Sequence, residues 1–149
     1  MHKLGRPARI LLIDDNRGDA ILAERAFREL RPPPEVTIAS TGEAALSILR
    51  REGEHAAAAT PDVVMLDLGL PRMSGLDVLT AVKTDQALMH IPVIVMSAYG
   101  AGQNVLKAYQ TYANAYLVKP SDLNQYRDTI ATVEKFFLGT AALPALTHD

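Results

Sequence analysis

No cysteine occurs among the 149 residues of this chain. That absence rules out a disulfide framework, a zinc–thiolate or iron–sulfur site and a cysteine nucleophile, and it fits a reducing cytoplasm, the location expected here. A surplus of positive charge is also missing. Fifteen basic against seventeen acidic residues leave a net charge of −2, which argues against binding nucleic acid through a broad basic face. Long apolar runs are missing too. The strongest, Ile10–Ile13 and Val63–Leu66, are four residues long, where a membrane-spanning helix needs ~20, so no membrane association is expected. Met1 to Pro7 carry basic side chains but no apolar stretch of the ~7–15 residues a signal needs follows them, so they do not read as a secretory signal. Neither G-x-G-x-x-G nor G-x-x-x-x-G-K-[ST] occurs, which removes the usual nucleotide phosphate loops.

What is present is an alternation. Hydrophobic residues make up 48% and charged ones 21%, ordinary globular usage in a one-domain length able to bury its own core. Short apolar runs at Ala8–Ile13, Glu35–Ala39, Val63–Leu66, Pro92–Met96 and Ala115–Val118 are separated by segments of helical period. Ala23, Ala26, Phe27 and Leu30 share one helix face, as do Val105, Ala108, Tyr109 and Tyr112, and Leu123, Tyr126, Ile130, Val133 and Phe137. Ser40-Thr41-Gly42-Glu43 reads as a capping box, and Ser74 and Ser121 as N-caps. Arg31-Pro32-Pro33-Pro34 stops the first helix, while the alanines Ala56–Ala59 could either extend a helix or form a connection. Strands that are apolar throughout are buried on both faces. Five of them alternating with five helices predict a doubly wound α/β domain with a parallel sheet. The domain spans 8–138, after an N-terminal extension at 1–7 and before a tail at 139–149.

In such a sheet every strand ends at one edge, where ligands bind. The residues leaving these strands are Asp14-Asp15, Asp67, Ser97 and Lys119. Each alone reads equally well as turn or cap chemistry. Together, at four of the five strand ends, they would be gathered by this fold into one pocket. Three carboxylates side by side repel one another, and a hard divalent cation such as Mg²⁺ offsets them through oxygen ligands. A lysine adds positive charge and a serine adds a hydroxyl donor. Carboxylate, metal, ammonium and hydroxyl suit a phosphoryl group.

With these residues the chain resembles the receiver domain of two-component response regulators. The matching segments are Ile10-Leu11-Leu12-Ile13-Asp14-Asp15-Asn16, Asp62-Val63-Val64-Met65-Leu66-Asp67-Leu68-Gly69-Leu70-Pro71, Met73-Ser74-Gly75-Leu76, Ile91-Pro92-Val93-Ile94-Val95-Met96-Ser97-Ala98 and Lys119-Pro120. The resemblance implies a flavodoxin-like fold with strand order 2-1-3-4-5. It implies Asp67 as the phosphoacceptor for a phosphohistidine on a sensor histidine kinase. Asp15, Asp67 and the Gly69 backbone carbonyl would hold Mg²⁺, with Asp14 acting through a metal-bound water. Lys119 and Ser97 would each bind a phosphoryl oxygen, Ser97 and Tyr116 would form the switch, and the Lys119-Pro120 bond would be cis. Gly69 departs from the asparagine expected at its position, which leaves the phosphoryl lifetime open, since that side chain and the one at Tyr99 govern water access.

A finer resemblance is to the single-domain regulators that partner bacterial phytochromes. It is carried by Arg50-Arg51-Glu52-Gly53-Glu54, Asp67-Leu68-Gly69-Leu70-Pro71-Arg72, Ala113-Asn114-Ala115-Tyr116 and Val133-Glu134-Lys135-Phe136-Phe137. Eleven residues follow Leu138, fewer than a DNA-binding or enzymatic module needs. The expectation is therefore a non-enzyme, beyond taking up and slowly losing its own phosphoryl group, that signals through its surface across Ala98–Tyr116. Phe136, Leu138 and the apolar tail either pack on the domain or make a homodimer contact. Alternatives are a receiver-like scaffold that is never phosphorylated, or a phosphate sink in a relay. The intact set of Asp14, Asp15, Asp67, Ser97 and Lys119 speaks against the scaffold. An aspartyl phosphatase would favour an acidic residue where Gly69 stands.

Overall fold

A computed structural model of the chain describes residues 5–98 and 102–144; Tyr99, residues 1–4 of the extension and residues 145–149 of the tail lie outside them. Among the described residues, five strands alternate with five α-helices: β1 (Arg9–Ile13), α1 (Arg17–Arg28), β2 (Glu35–Ala39), α2 (Gly42–Leu49), β3 (Val63–Asp67), α3 (Gly75–Thr84), β4 (Val93–Ser97), α4 (Gly102–Gln110), β5 (Ala115–Val118) and α5 (Leu123–Val133). A π-helical segment, Glu134–Thr140, continues α5. The sheet is parallel in the order β2-β1-β3-β4-β5, the doubly wound, flavodoxin-like arrangement expected. None of these helices is long and apolar enough to cross a membrane.

The unbroken apolar strands have a direct structural cause. Alternate residues point to opposite faces, and both faces are covered. Leu11, Ile13, Val64, Leu66, Val93 and Val95 pack under α2, α3 and α4 through Leu46, Leu49, Val78, Leu79 and Ala108. Ile10, Leu12, Met65, Ile94 and Met96 pack under α1 and α5 through Ala23, Phe27, Tyr126 and Ile130. Each such aliphatic side chain, fully buried, contributes about 1.5–3 kcal/mol.

Local signals set the boundaries. Asn16 caps α1 by accepting the Asp19 N–H, Thr41 caps α2 through Ala44, and Ser74 with Asp77 forms a capping box on α3. Asp122, rather than Ser121, caps α5; the Ser121 N–H and hydroxyl both donate to Gln125 instead. The alanines do not extend α2. The helix closes at Leu49, Arg51 takes a positive φ of 57°, and a short 3-10 turn at Gly53–His55 follows. Ahead of β1, Arg6 grips the buried Asp62 with two bonds of 2.9 Å, and Asp62 also accepts the Arg9 N–H. Behind α3, buried Lys83 donates to the Met89 and Ile91 carbonyls and to Asn114 Oδ1, which also takes the Val93 N–H. That clamp joins the starts of β4 and β5.

The register brings the expected residues to one edge. Ile13 lies opposite Leu66, Asp67 opposite Met96, and Ser97 opposite Val118. Asp14, Asp67, Ser97 and Lys119 therefore leave adjacent strands at the same level.

Gly75 sets the loop that follows Asp67. Its N–H donates to the Leu68 carbonyl at 3.2 Å, and a Cβ there would stand 2.5 Å from both the Asp67 carbonyl oxygen and the Leu68 Cα. Those are backbone atoms with nowhere to rotate. Gly75→Ala should cost about 1–3 kcal/mol of stability, as overpacking does, read as a lower urea midpoint with unchanged slope. An unchanged midpoint would show that the loop yields freely.

Candidate phosphoryl-acceptor pocket

The pocket is organised around one ammonium. Lys119 Nζ lies 2.9 Å from Asp14 Oδ2, 2.9 Å from Asp19 Oδ2 and 3.0 Å from Asp67 Oδ2. An ammonium has three donors, so each carboxylate takes one. Burial alone would push Lys119 down, but the hydrogen bonds with Asp19, Asp14 and Asp67 outweigh it and hold the ammonium above its ordinary range. The lysine is aimed by its own backbone, whose N–H donates to the Ser97 carbonyl at 2.7 Å.

The carboxylates are not equivalent. Asp14 is buried, and its Oδ1 accepts the Asn16 N–H at 2.9 Å. Burial raises its pKa to about 6 against the pull of Lys119 and Asn16. Asp15 is exposed beside it. Asp67 ends β3 half-buried, with Oδ1 accepting the Gly69 N–H at 3.0 Å. Oxygen atoms of Asp14, Asp15 and Asp67 all lie within 4.8 Å of one another. An all-carboxylate set at that spacing fits a hard divalent cation, which takes oxygen ligands and keeps several waters.

Ser97 is buried at the end of β4 beside the lysine strand. Tyr116 lies half-buried in β5 against the α2–α3–α4 side of the core, and its N–H donates to the hydroxyl of Tyr109 on α4. One expectation is corrected. Among the described residues the cis peptide is Arg31–Pro32, so Lys119–Pro120 is trans. The Lys119 side chain reaches all three carboxylates from the trans bond, the isomer that X–Pro favours by about 0.5–1 kcal/mol. Asp19 was not anticipated at all. An acidic residue in the first turn of a helix reads as a partner for the helix dipole. The available signal was its place one turn after Asp15, on the side of α1 that begins at the pocket.

Comparison with known proteins now decides the family. The model of the response regulator receiver domain matches residues 10–131. The chain belongs to that family. It is 32% identical over 139 residues to response regulator Rcp1 of Synechocystis sp., covering 93% of this chain and 95% of that one. The crystal structure of the phosphorylated cyanobacterial phytochrome response regulator RcpA superposes with a TM-score of 0.90 at 36% identity, covering 94% of this receiver and all of the other chain. The Mn²⁺-bound form of Rcp1 superposes with a TM-score of 0.86 at 32% identity, covering 93% of this chain and 100% of that one. The receiver is thus similar to phytochrome-linked regulators. Members of the family are signalling proteins that take a phosphoryl group on an aspartate and bind a divalent metal, and the Asp14–Asp15–Asp67 cluster fits such an ion.

The raised pKa of Asp14 makes a signed prediction for the metal-free protein. Its folded value of about 6 exceeds the ordinary value of 3.8, so between those limits the folded state holds the extra proton. Stability from Asp14 is therefore present at low pH and lost as pH rises towards and through 6. Relative to Asp14→Asn, the wild type should lose on the order of 2–3 kcal/mol between pH 4 and pH 7, measured by urea unfolding at each pH. A difference that does not vary with pH would contradict the buried carboxyl.

Proposed function

We propose that this receiver accepts a phosphoryl group on Asp67 from a sensor histidine kinase of the phytochrome type, with Mg²⁺ as its metal. The observation that carries the reading is Lys119 meeting Asp14, Asp19 and Asp67 within 3.0 Å at the sheet edge where receivers carry their chemistry. Asp67 is half-buried at the end of β3 with an oxygen bonded to the Gly69 N–H. Its carboxylate oxygen attacks the phosphorus of the phosphohistidine. The new P–O bond forms as the P–N bond breaks, and the bonding pair leaves on the imidazole nitrogen. Asp15, Asp67 and the Gly69 carbonyl would hold the cation directly, with Asp14 beyond a water. When bound, the ion supplies positive charge that lets the carboxylates and phosphoryl oxygens share one site.

Lys119 then donates to one phosphoryl oxygen and the Ser97 hydroxyl to another. Ser97 is drawn inward at the end of β4, and Tyr116 turns inward with it. The Tyr109–Tyr116 bond ties α4 to that movement. The signal leaves as protein–protein contact across this surface, the only chemistry is the receiver's uptake and slow loss of that phosphoryl group, and the domain runs over 8–138. A homodimer contact at the end of α5 rests on Phe136, 53% exposed and edge-on to Phe137 at 5.1 Å. Leu138 takes no part in it, because it is buried in the domain's own core.

Incubation with Mg²⁺ and acetyl phosphate should add one phosphoryl mass to the wild type and none to Asp67→Asn; no gain on either would sink the reading. A second test addresses the switch. Tyr116→Ala should still be phosphorylated but lose the phosphorylation-linked change in hydrogen exchange across residues 102–116. Retention of that change in the variant would separate Tyr116 from the output.

A further inference from the structure

Among the described residues, Tyr126 is the buried side chain near the pocket whose chemistry remains unspent. It sits on α5, 1% exposed, in the same buried cluster as Ala20 and Ala23 of α1. Its hydroxyl is fully buried and, among the described residues, has no hydrogen-bond partner. A buried hydroxyl left in that state destabilises the fold, and a phenylalanine would fill the same volume without that cost. Ala20 follows Asp19 directly in the chain, and α1 packs against α5, the helix that carries Tyr126. Burial first, and then the negative charge of Asp19, holds the phenol above its ordinary range. Lys119 and the other two pocket carboxylates follow as weaker influences.

The arrangement around Lys119 gives this donor a purpose. All three ammonium donors are committed, to Asp14, Asp19 and Asp67. A phosphoryl oxygen arriving on Asp67 needs one of them. Asp67 stays beside the lysine because it carries the phosphoryl group, and Asp14 is buried and anchored by the Asn16 N–H. Asp19 is the partner at the rim, with its side chain 28% exposed, and so the one that can be released.

We infer that the Tyr126 hydroxyl is a reserve donor for Asp19, engaged when Lys119 turns to the phosphoryl group. This rests on the reading of Asp67 as the phosphoacceptor. Tyr126 is then a positioning residue. It touches neither the donor nor the phosphoryl group, and it stabilises the phosphorylated state by receiving the carboxylate that Lys119 gives up. Without it, Asp19 competes for Lys119 or must be hydrated at the pocket rim.

The test compares wild type with Tyr126→Phe, using beryllofluoride with Mg²⁺ as the phosphoryl mimic and acetyl phosphate as the donor. In the unphosphorylated state the variant should melt at the same or a higher temperature, because it removes an unpartnered hydroxyl. Its affinity for beryllofluoride should nevertheless fall roughly tenfold, the scale of a hydrogen bond to a charged group, and its aspartyl phosphate should decay faster. In an Asp19→Ala background, Tyr126→Phe should change neither quantity further. Equal beryllofluoride affinity and equal decay in wild type and Tyr126→Phe would overturn the inference. So would an effect of full size persisting without Asp19. If the wild type neither bound beryllofluoride nor gained a phosphoryl group, the underlying reading of Asp67 would fail instead.

Discussion

One lysine ammonium holds this pocket together. Asp14, Asp19 and Asp67 converge on Lys119 in a setting where burial already disfavours the charged form of Asp14. Three carboxylates and one cation leave the group net negative, so it is built to receive more positive charge. A divalent ion meets that need, and the ion together with the lysine can then hold a doubly charged phosphoryl group. The resting contacts of Lys119 are thus not an end in themselves. On the proposed reading they keep the ammonium aimed at the place where a phosphoryl group would add negative charge.

Everything else in the fold serves that convergence. Asp14, Asp67, Ser97 and Lys119 stand at the ends of four separate strands, with Asp19 on α1, and their meeting requires a register in which Ile13 faces Leu66 and Ser97 faces Val118. A one-residue slip would turn every core side chain to the opposite face, so the packing that stabilises the sheet also sets the pocket. Gly75 adds a tighter constraint, since α3 begins against the backbone of Asp67 itself. Stability and chemistry share the same residues at this edge.

Much of this was legible in the sequence because strands buried on both faces are unbroken runs of apolar residues, and the polar residue ending each run is then conspicuous. Asp14, Asp15, Asp67, Ser97 and Lys119 stood out in that way. Asp19 did not, because a first-turn acidic residue has an ordinary explanation in the helix dipole. Lys83 was equally hidden. Its partners are two main-chain carbonyls and an amide, which leave no charge pattern to read. The shift of the α5 cap from Ser121 to Asp122 turned on Gln125, whose side chain occupied the serine. The fate of Ala56–Ala59 was set by a positive φ at Arg51, and the burial of Leu138 by a π-helical continuation of α5. Neither has a local sequence mark. The trans bond at Lys119–Pro120 corrects an expectation that came from resemblance alone.

The central claim is that this constellation directs phosphorylation to a single carboxylate among several crowded together. It is tested most directly by reducing the phosphorylated protein with borohydride, which converts an acyl phosphate to an alcohol, and locating the resulting homoserine by tandem mass spectrometry. The account predicts homoserine at position 67 alone. Homoserine at position 14, 15 or 19 would contradict it.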